Sequence, residues 1–116
     1  MMWNELNEES QLAEIRRQSN TQAVVIFKHS TRCSISTMAK SRLERSAAPD
    51  GITFYYLDLI RFRSISNKIV EEFGVYHESP QVLIIRNGDC VYDESHNGIS
   101  MDEILEVAAS QQVSSI

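Results

Sequence analysis

Residues 23–36, which read AVVIFKHSTRCSIS, decide the fold. The stretch opens with a continuous apolar run, a pattern typical of a strand that is covered on both faces of a sheet. A polar segment follows and contains Cys33, and apolar residues at helical spacing begin directly after it. The stretch therefore predicts a buried strand, a short turn and a helix that opens at Cys33.

Cys33 is the first candidate for a reactive group. A thiol at a helix N-terminus lies near unpaired backbone N–H groups and the positive end of the helix dipole, which both favour the thiolate. Lys28, His29 and Arg32 precede it and add positive charge. The alternative is a buried cysteine that only fills space, but a turn rich in Ser, Thr and Arg is a poor place to bury a thiol. The sequence predicts a nucleophilic Cys33.

The composition restricts the class of protein. A chain of 116 residues with 42% hydrophobic content provides one domain, over residues 1–116, with a single core. The formal net charge of −5 disfavours nucleic acid as a partner. The longest apolar runs, such as residues 82–85, are far shorter than the roughly 20 residues of a membrane-spanning helix. No membrane partner is expected.

The N-terminal residues have neither a basic beginning nor an apolar core, so a secretory signal is not predicted. A cytoplasmic, reducing location is the resulting expectation. In that location Cys33 and Cys90, the two cysteines, are expected to be redox or structural thiols rather than a permanent disulfide.

Hydrophobic periodicity predicts the order helix, strand, helix, strand, helix, strand, strand, helix. Helices are expected over residues 8–17, from Cys33 to before Pro49, over 64–73 and after Ser100. Strands are expected over residues 23–27, 53–58, 81–86 and 90–94, with a frayed tail over about 111–116. Strands joined by a helix run parallel and the hairpin runs antiparallel. The predicted fold is therefore α/β and thioredoxin-like, with a four-stranded mixed sheet flanked by helices and an N-terminal helix.

Local signals mark the ends of several elements. Gly74 is expected to end the third helix in the left-handed conformation. Asn87 and Gly88, followed by Asp89, predict a tight hairpin turn, and Ser100 with Glu103 predicts a capping box for the final helix.

The helix that opens at Cys33 carries apolar residues at helical spacing, which predicts a face turned to the core. These residues are Ile35, Met38, Ala39 and Leu43.

Pro80 lies directly before the predicted third strand. A trans proline as the first residue of a strand is the ordinary interpretation. In the thioredoxin-like order this position carries a cis proline, which brings the Ser79 backbone beside the catalytic sulfur. The position in the element order, rather than the proline alone, therefore predicts a cis bond between Ser79 and Pro80.

Separate segments together resemble one family. Residues 28–36, 77–81 and 95–96 resemble the monothiol bacilliredoxins, the YtxJ-like branch of the thioredoxin superfamily, and the resemblance covers nearly the whole chain. Two residues depart from the usual pattern. Ser34 replaces the proline that usually follows the cysteine, which changes the start of the helix. Asn97 replaces the tryptophan that commonly follows Ser-His, which is expected to open the site.

The resemblance implies a thiol-disulfide oxidoreductase in which Cys33 removes bacillithiol from mixed disulfides on proteins. It implies S-thiolated proteins as partners, a low-molecular-weight thiol as cosubstrate, an external reductant, and no metal or bound cofactor. Because Ser36 occupies the second position of a Cys-x-x-Cys motif, the site cannot resolve its own mixed disulfide. The Cys33–bacillithiol disulfide is then expected to persist until an external thiol attacks it.

Further site candidates come from the same segments. The residues expected to support Cys33 are Arg32, Ser34, Ser36, Ser79, Pro80 and His96. The residues expected to bind substrate are Arg32, His77, Glu78, Ser79 and Gln81. The guanidinium of Arg32 is suited to a carboxylate of bacillithiol. Ser36 either hydrogen-bonds the Cys33 thiolate or is simply a residue of the first helical turn.

The predicted hairpin separates Cys90 from Cys33. From Pro80 the strand advances about 3.3 Å per residue, which puts the turn near Gly88 roughly 20 Å from the site, whereas a disulfide needs Cα atoms within about 7 Å. Cys90 is therefore expected to be a strand residue and not a resolving thiol. The returning strand brings His96 back to the site, where it is a candidate for hydrogen bonding to substrate or proton transfer to the leaving thiol.

Two other functions remain open from the sequence. One is a redox-inert adaptor of thioredoxin fold that binds a peptide through the loop around Pro80. The other is an iron–sulfur carrier related to monothiol glutaredoxins, although the Gly-Phe step usual in that class does not follow Cys33. Thiol reactivity distinguishes the adaptor from the reductase, and visible absorbance distinguishes the carrier.

Overall fold

A computed structural model describes residues 2–46 and 50–113, and from the first helix onward its helices and strands follow the predicted order. The helices are α1 (Gln11–Gln18), α2 (Ser34–Glu44), α3 (Arg63–Phe73) and α4 (Met101–Val113). The strands are β1 (Asn4–Glu5), β2 (Ala23–His29), β3 (Ile52–Asp58), β4 (Gln81–Arg86) and β5 (Asp89–Ser95). A short 3₁₀ turn, His96–Gly98, follows β5.

The strands form one mixed sheet in the order β1-β3-β2-β4-β5. Strand β2 runs parallel to β3 and antiparallel to β4, and β4 and β5 form the antiparallel hairpin. The predicted thioredoxin-like fold is confirmed, with one correction. The sheet has five strands, because the short β1 pairs in parallel with the outer edge of β3. A two-residue strand is too short to show an alternating pattern, so periodicity does not reveal it.

Strand β2 is buried along its whole length and extends the predicted strand through Lys28 and His29. Successive side chains of a strand point to opposite faces. Accordingly Val25 and Phe27 belong to a core with residues of α2 and α4, whereas Val24 and Ile26 belong to a core with residues of α1 and α3. A continuous apolar run is therefore what this central strand requires.

Helix α2 contradicts part of the predicted core. Ala39 and Leu43 are buried, but Met38 is 61% exposed and Ile35 is 44% exposed. The buried stripe of the helix is formed by Ser36, Ala39 and Leu43, and Ile35 and Met38 lie to one side of it. Spacing alone did not reveal where the covered stripe ends.

The predicted local signals are confirmed. Gly74 is left-handed (φ 67°), and its N–H donates to the Val70 carbonyl at 2.9 Å at the end of α3. Asn87 and Gly88 have positive φ values of 54° and 81° in the hairpin turn. The Ser100 hydroxyl accepts a hydrogen bond from Glu103 N–H at 3.2 Å, which is one of the two bonds of the predicted capping box; the described hydrogen bonds do not include the return bond from Ser100 N–H to the Glu103 carboxylate.

The helix bounds differ from the predicted ones at both ends of the chain. Helix α1 begins at Gln11, whose side-chain oxygen accepts hydrogen bonds from the Asn7 and Glu8 amides at 2.7 and 2.9 Å. Helix α4 continues to Val113, into the predicted tail; residues 114–116 and Pro49 lie outside the described residues. Across the described part of the chain, no helix has the length and apolar character to cross a membrane.

Ser19 joins the end of α1 to the hairpin turn. Its carbonyl accepts hydrogen bonds from Asn87 N–H at 2.8 Å and from the Arg86 guanidinium at 2.7 Å. Its hydroxyl accepts one from Gly88 N–H at 2.9 Å and donates to the Arg16 carbonyl at 2.6 Å. These contacts fix the end of the sheet opposite Cys33.

We predict that Ser19→Ala lowers the free energy of unfolding by about 1–3 kcal/mol, because it leaves the Gly88 N–H without its partner next to a fully buried side chain. Urea denaturation measures the change. Asn20→Ala, at an exposed neighbouring position, is the matched control. Equal stability of the two variants would contradict this role of the hydroxyl.

Candidate active site

Cys33 lies at the N-cap of α2 with an extended backbone (φ −110°, ψ 121°). Its carbonyl accepts hydrogen bonds from Thr37 N–H at 3.0 Å and the Thr37 hydroxyl at 3.2 Å, and its N–H donates to the Ser30 carbonyl at 3.2 Å. No acidic residue lies in the first turn of α2, and no described side chain caps the helix. The partly exposed sulfur therefore lies at a helix end whose dipole attracts an anion.

Ser36 is fully buried beneath the first turn of α2. Its hydroxyl oxygen lies 2.6 Å from His29 Nδ1 and accepts a hydrogen bond from Ser30 N–H at 3.0 Å. The described contacts of this hydroxyl go to the wall of the site and not to Cys33. Ser36 thus joins α2 to the end of β2.

His29 forms the base of this side of the site. Its ring stacks on Phe27 at 5.7 Å between ring centroids and contacts Tyr56 at 5.5 Å. Burial is the main cause that lowers the pKa of His29; Lys40 lowers it further, while Asp58 acts in the opposite direction. The ring is consequently neutral near pH 7 and adds no positive charge beside Cys33.

The structure separates the basic residues that precede Cys33. Lys28 is fully buried and extends toward His77 on the α3 side of the sheet, away from His29. Arg32 is exposed directly before Cys33. Of the cations expected near the thiol, Arg32 is the one whose side chain is free to act at the surface.

The loop before β4 forms the other side of the site. The peptide bond between Ser79 and Pro80 is cis, as predicted, and Pro80 is buried. The strand register pairs Gln81 with Lys28 on β2 and with Ser95 on β5. This places Pro80 at the same end of the sheet as the turn that leads from β2 to Cys33.

Gln81 is buried and holds this loop from inside. Its side-chain nitrogen donates to the Tyr76 carbonyl at 2.9 Å, and its side-chain oxygen accepts from Glu78 N–H at 3.4 Å. The sequence placed Gln81 among the substrate-binding residues, whereas its described contacts are internal.

His96 and Glu78 lie on the exposed side of the loop. Their side chains approach to 3.7 Å, and each is about half exposed (47% and 50%). The His96 N–H donates to the Pro80 carbonyl at 3.0 Å, and the Arg42 guanidinium donates to the carbonyls of His96 and Ile99 at 3.3 and 3.2 Å. The start of β4 and helix α2 thus both hold His96 at the site.

Comparison with known proteins identifies the family of this chain. The family model of the monothiol bacilliredoxin BrxC matches residues 4–104. The chain belongs to this family. A solved structure described as a candidate oxidoreductase with a thioredoxin fold is 27% identical, with 88% of this chain and 89% of that chain covered and a TM-score of 0.77.

More distant structures show the same fold. Thioredoxin f2 of Chlamydomonas reinhardtii is 15% identical over 96% of this chain and 97% of its own, with a TM-score of 0.71. Thioredoxin of Trypanosoma brucei brucei is 14% identical over 97% of this chain and 92% of its own, with a TM-score of 0.73. Together with the family match, the fold identifies this bacilliredoxin as a thiol oxidoreductase of the thioredoxin class.

Sequence reasoning missed several residues that shape the bacilliredoxin site. Arg42 is one, because its position on α2 gives no sign that it reaches the turn after β5. Tyr76 is another: it lies in the loop before Pro80 and is 90% exposed. Ser66 is the third, and here a signal exists, since a small polar residue lies on the buried face of the amphipathic helix α3.

Cys90 lies in β5 near the hairpin turn, as the sequence predicted, and pairs there with Ile85. Its thiol donates to the Tyr92 carbonyl at 3.3 Å. Burial is the main cause that raises the pKa of Cys90, and the charge of Asp93 adds to the effect.

We predict that iodoacetamide alkylates Cys33 faster than Cys90 near neutral pH, because the raised pKa of Cys90 leaves little thiolate there. The Cys90 rate should rise only at more alkaline pH. Peptide mass spectrometry over a pH series measures both rates in one sample. Equal rates at neutral pH would contradict the assignment of Cys33 as the reactive thiol.

Proposed function

We propose that this bacilliredoxin removes bacillithiol from mixed disulfides on proteins as a monothiol oxidoreductase. One observation carries the proposal: Ser36 occupies the second sulfur position, and its hydroxyl is bonded to His29 and to the Ser30 amide. Cys90 lies toward the other end of the sheet. The arrangement supports exchange at a single sulfur, completed by an external thiol.

In the proposed first step, the Cys33 thiolate attacks the bacillithiol sulfur of the mixed disulfide. A new disulfide forms between Cys33 and bacillithiol as the old S–S bond breaks, and the released protein thiolate takes up a proton. The thiolate of a free bacillithiol then attacks the bacillithiol sulfur of this disulfide, which yields bacillithiol disulfide and restores the Cys33 thiolate. Each step exchanges one disulfide for another, so the chemistry needs no metal or bound cofactor.

The loop before β4 that contains Ser79 and Pro80, called the Ser79 loop below, is the proposed docking site for the S-thiolated protein. None of the described hydrogen bonds uses the N–H or the carbonyl of Ser79. Unpaired backbone groups in such a loop can form hydrogen bonds with an extended segment of another protein. Ile35 and Tyr76, on the flanking helix and loop, are exposed and offer apolar contact.

His96 is the proposed proton donor to the leaving thiolate. Its exposed ring lies at the active-site end of β5, 3.7 Å from the Glu78 carboxylate. The hydrogen bonds from Arg42 and to Pro80 hold its backbone in place.

We further propose a cytoplasmic location, where low-molecular-weight thiol and an external reductant are available.

We predict that wild-type protein and Cys90→Ser gain one bacillithiol when exposed to oxidised bacillithiol, and that Cys33→Ser gains none. Intact mass spectrometry measures the adduct, and added thiol should remove it. Loss of a bacillithiolated substrate's adduct should depend on Cys33 in the same way.

Other results point to other functions. No adduct on wild-type protein would favour the redox-inert adaptor, and visible absorption by anaerobic protein would favour the iron–sulfur carrier. Activity that survives Cys33→Ser but not Cys90→Ser would overturn the proposed nucleophile.

Arg32 is the proposed contact for a bacillithiol carboxylate. It is exposed directly before Cys33 and forms no ion pair among the described residues. A guanidinium can bind a carboxylate through two parallel hydrogen bonds. The local positive charge is notable in a chain with a net charge of −5.

We predict that Arg32→Ala slows reduction of a bacillithiol-containing disulfide by about three- to tenfold more than reduction of an uncharged disulfide. This factor is smaller than the full effect of a hydrogen bond to a charged group, because solvent screens the two charges. Both rates are measured at matched thiolate fraction. Arg45→Ala, at the opposite end of α2, is the control. Equal slowing of the two substrates would place the carboxylate contact elsewhere.

A further inference from the structure

Lys28 carries a charge into the interior beneath the Ser79 loop. The side chain is fully buried, and its ammonium lies 3.4 Å from Nδ1 of His77. The hydroxyl of Ser66 on α3 lies 3.3 Å from the same nitrogen. Because an ammonium only donates hydrogen bonds, Nδ1 must be the acceptor, which puts the proton of the neutral ring on Nε2.

The charges around this contact favour a neutral His77 and a charged Lys28 near pH 7. Burial lowers the pKa of Lys28 to about 8, so the ammonium still predominates at neutral pH. The pKa of His77 is lowered first by burial, then by Lys28 and by Arg63 on α3, while Glu78 acts in the opposite direction. No carboxylate forms an ion pair with Lys28 in the part of the chain that the structure describes.

The contact reaches the proposed docking backbone. His77 lies two residues before Ser79, in the loop whose other internal support is the side chain of Gln81. Lys28 and Gln81 are direct cross-strand partners at the ends of β2 and β4. Adjacent strand residues thus hold the loop from inside, one through backbone groups and the other through His77.

We infer that Lys28 is a positioning residue: its buried ammonium holds His77 and, through it, the loop that presents the Ser79 backbone to substrate. The part of the inference that names the substrate rests on the proposed function. The contact by which Lys28 holds the loop does not depend on that function. The hold requires a charged Lys28 and an unprotonated His77. Protonation of His77 in acid removes the acceptor, and loss of the Lys28 proton in alkali removes the ammonium.

A purely structural role would not favour a lysine here. Between about pH 8 and the ordinary lysine pKa of 10.5, the unfolded chain binds a proton that the folded chain does not. Stability therefore rises with pH across that window, and below it the buried charge costs stability. An apolar residue at this position should make the fold more stable and leave the loop less well held.

The test compares Lys28→Met with the wild type. We expect a higher melting temperature at pH 7, together with a loss on the order of tenfold in kcat/KM for a bacillithiolated peptide. The rate of Cys33 alkylation by iodoacetamide, which does not use the loop, should stay unchanged. Arg86→Met, which removes a buried cation at the other end of the sheet, is the matched control and should retain full kcat/KM.

Variants of His77 test the same contact from the loop side. Asn places an amide oxygen near the position of Nδ1, accepts a hydrogen bond and cannot be protonated. The activity of His77→Asn should lose the acid-side decline, measured relative to Cys33 alkylation at each pH. His77→Phe should resemble Lys28→Met, and the double variant should show no additional loss.

Hydrogen exchange of the amides of residues 76–79 provides a readout that needs no substrate. Faster exchange of these amides in Lys28→Met, with exchange in the rest of the chain unchanged or slower, supports the positioning role even if the wild type fails to act on bacillithiol disulfides. Unchanged exchange, unchanged kcat/KM, or an equal fall in kcat/KM and in Cys33 alkylation would overturn the inference.

Discussion

Strand β2 is enclosed by strands on both edges and by helices on both faces, and it is buried through its last residue. Because consecutive side chains of a strand point to opposite faces, its final two residues diverge. His29 contacts Ser36 under α2, whereas Lys28 reaches His77 under the loop before β4. The end of one strand therefore supports both sides of the site around Cys33.

This arrangement also determines where charge is found. Burial keeps His29 neutral and places the ammonium of Lys28 beneath the loop rather than beside the thiol. The positive potential near Cys33 then comes from the N-terminus of α2 and from the exposed Arg32. A site of this kind suits the anionic disulfide that we propose as substrate, although the whole chain is acidic.

The proposed monothiol reaction is supported by the residues at both ends of the sheet. Ser36 replaces a second sulfur at the helix, and the antiparallel register of β4 and β5 keeps Cys90 near the hairpin turn. The same register returns Ser95 and His96 to the end of the sheet that carries the active site. A single hairpin thus removes one thiol from the site and supplies a histidine to it. The external thiol in the proposed reaction is a consequence of this geometry.

Much of this was accessible from the sequence because it depends on local chemistry. A continuous apolar run requires a strand covered on both faces, positive φ at Asn87 and Gly88 makes a tight hairpin turn, and the element order locates the cis bond at Pro80. Tertiary structure alone decided that Met38 is exposed and that Lys28 is buried. Periodicity relates a side chain to its own helix or strand, but its burial depends on which distant segments cover that face.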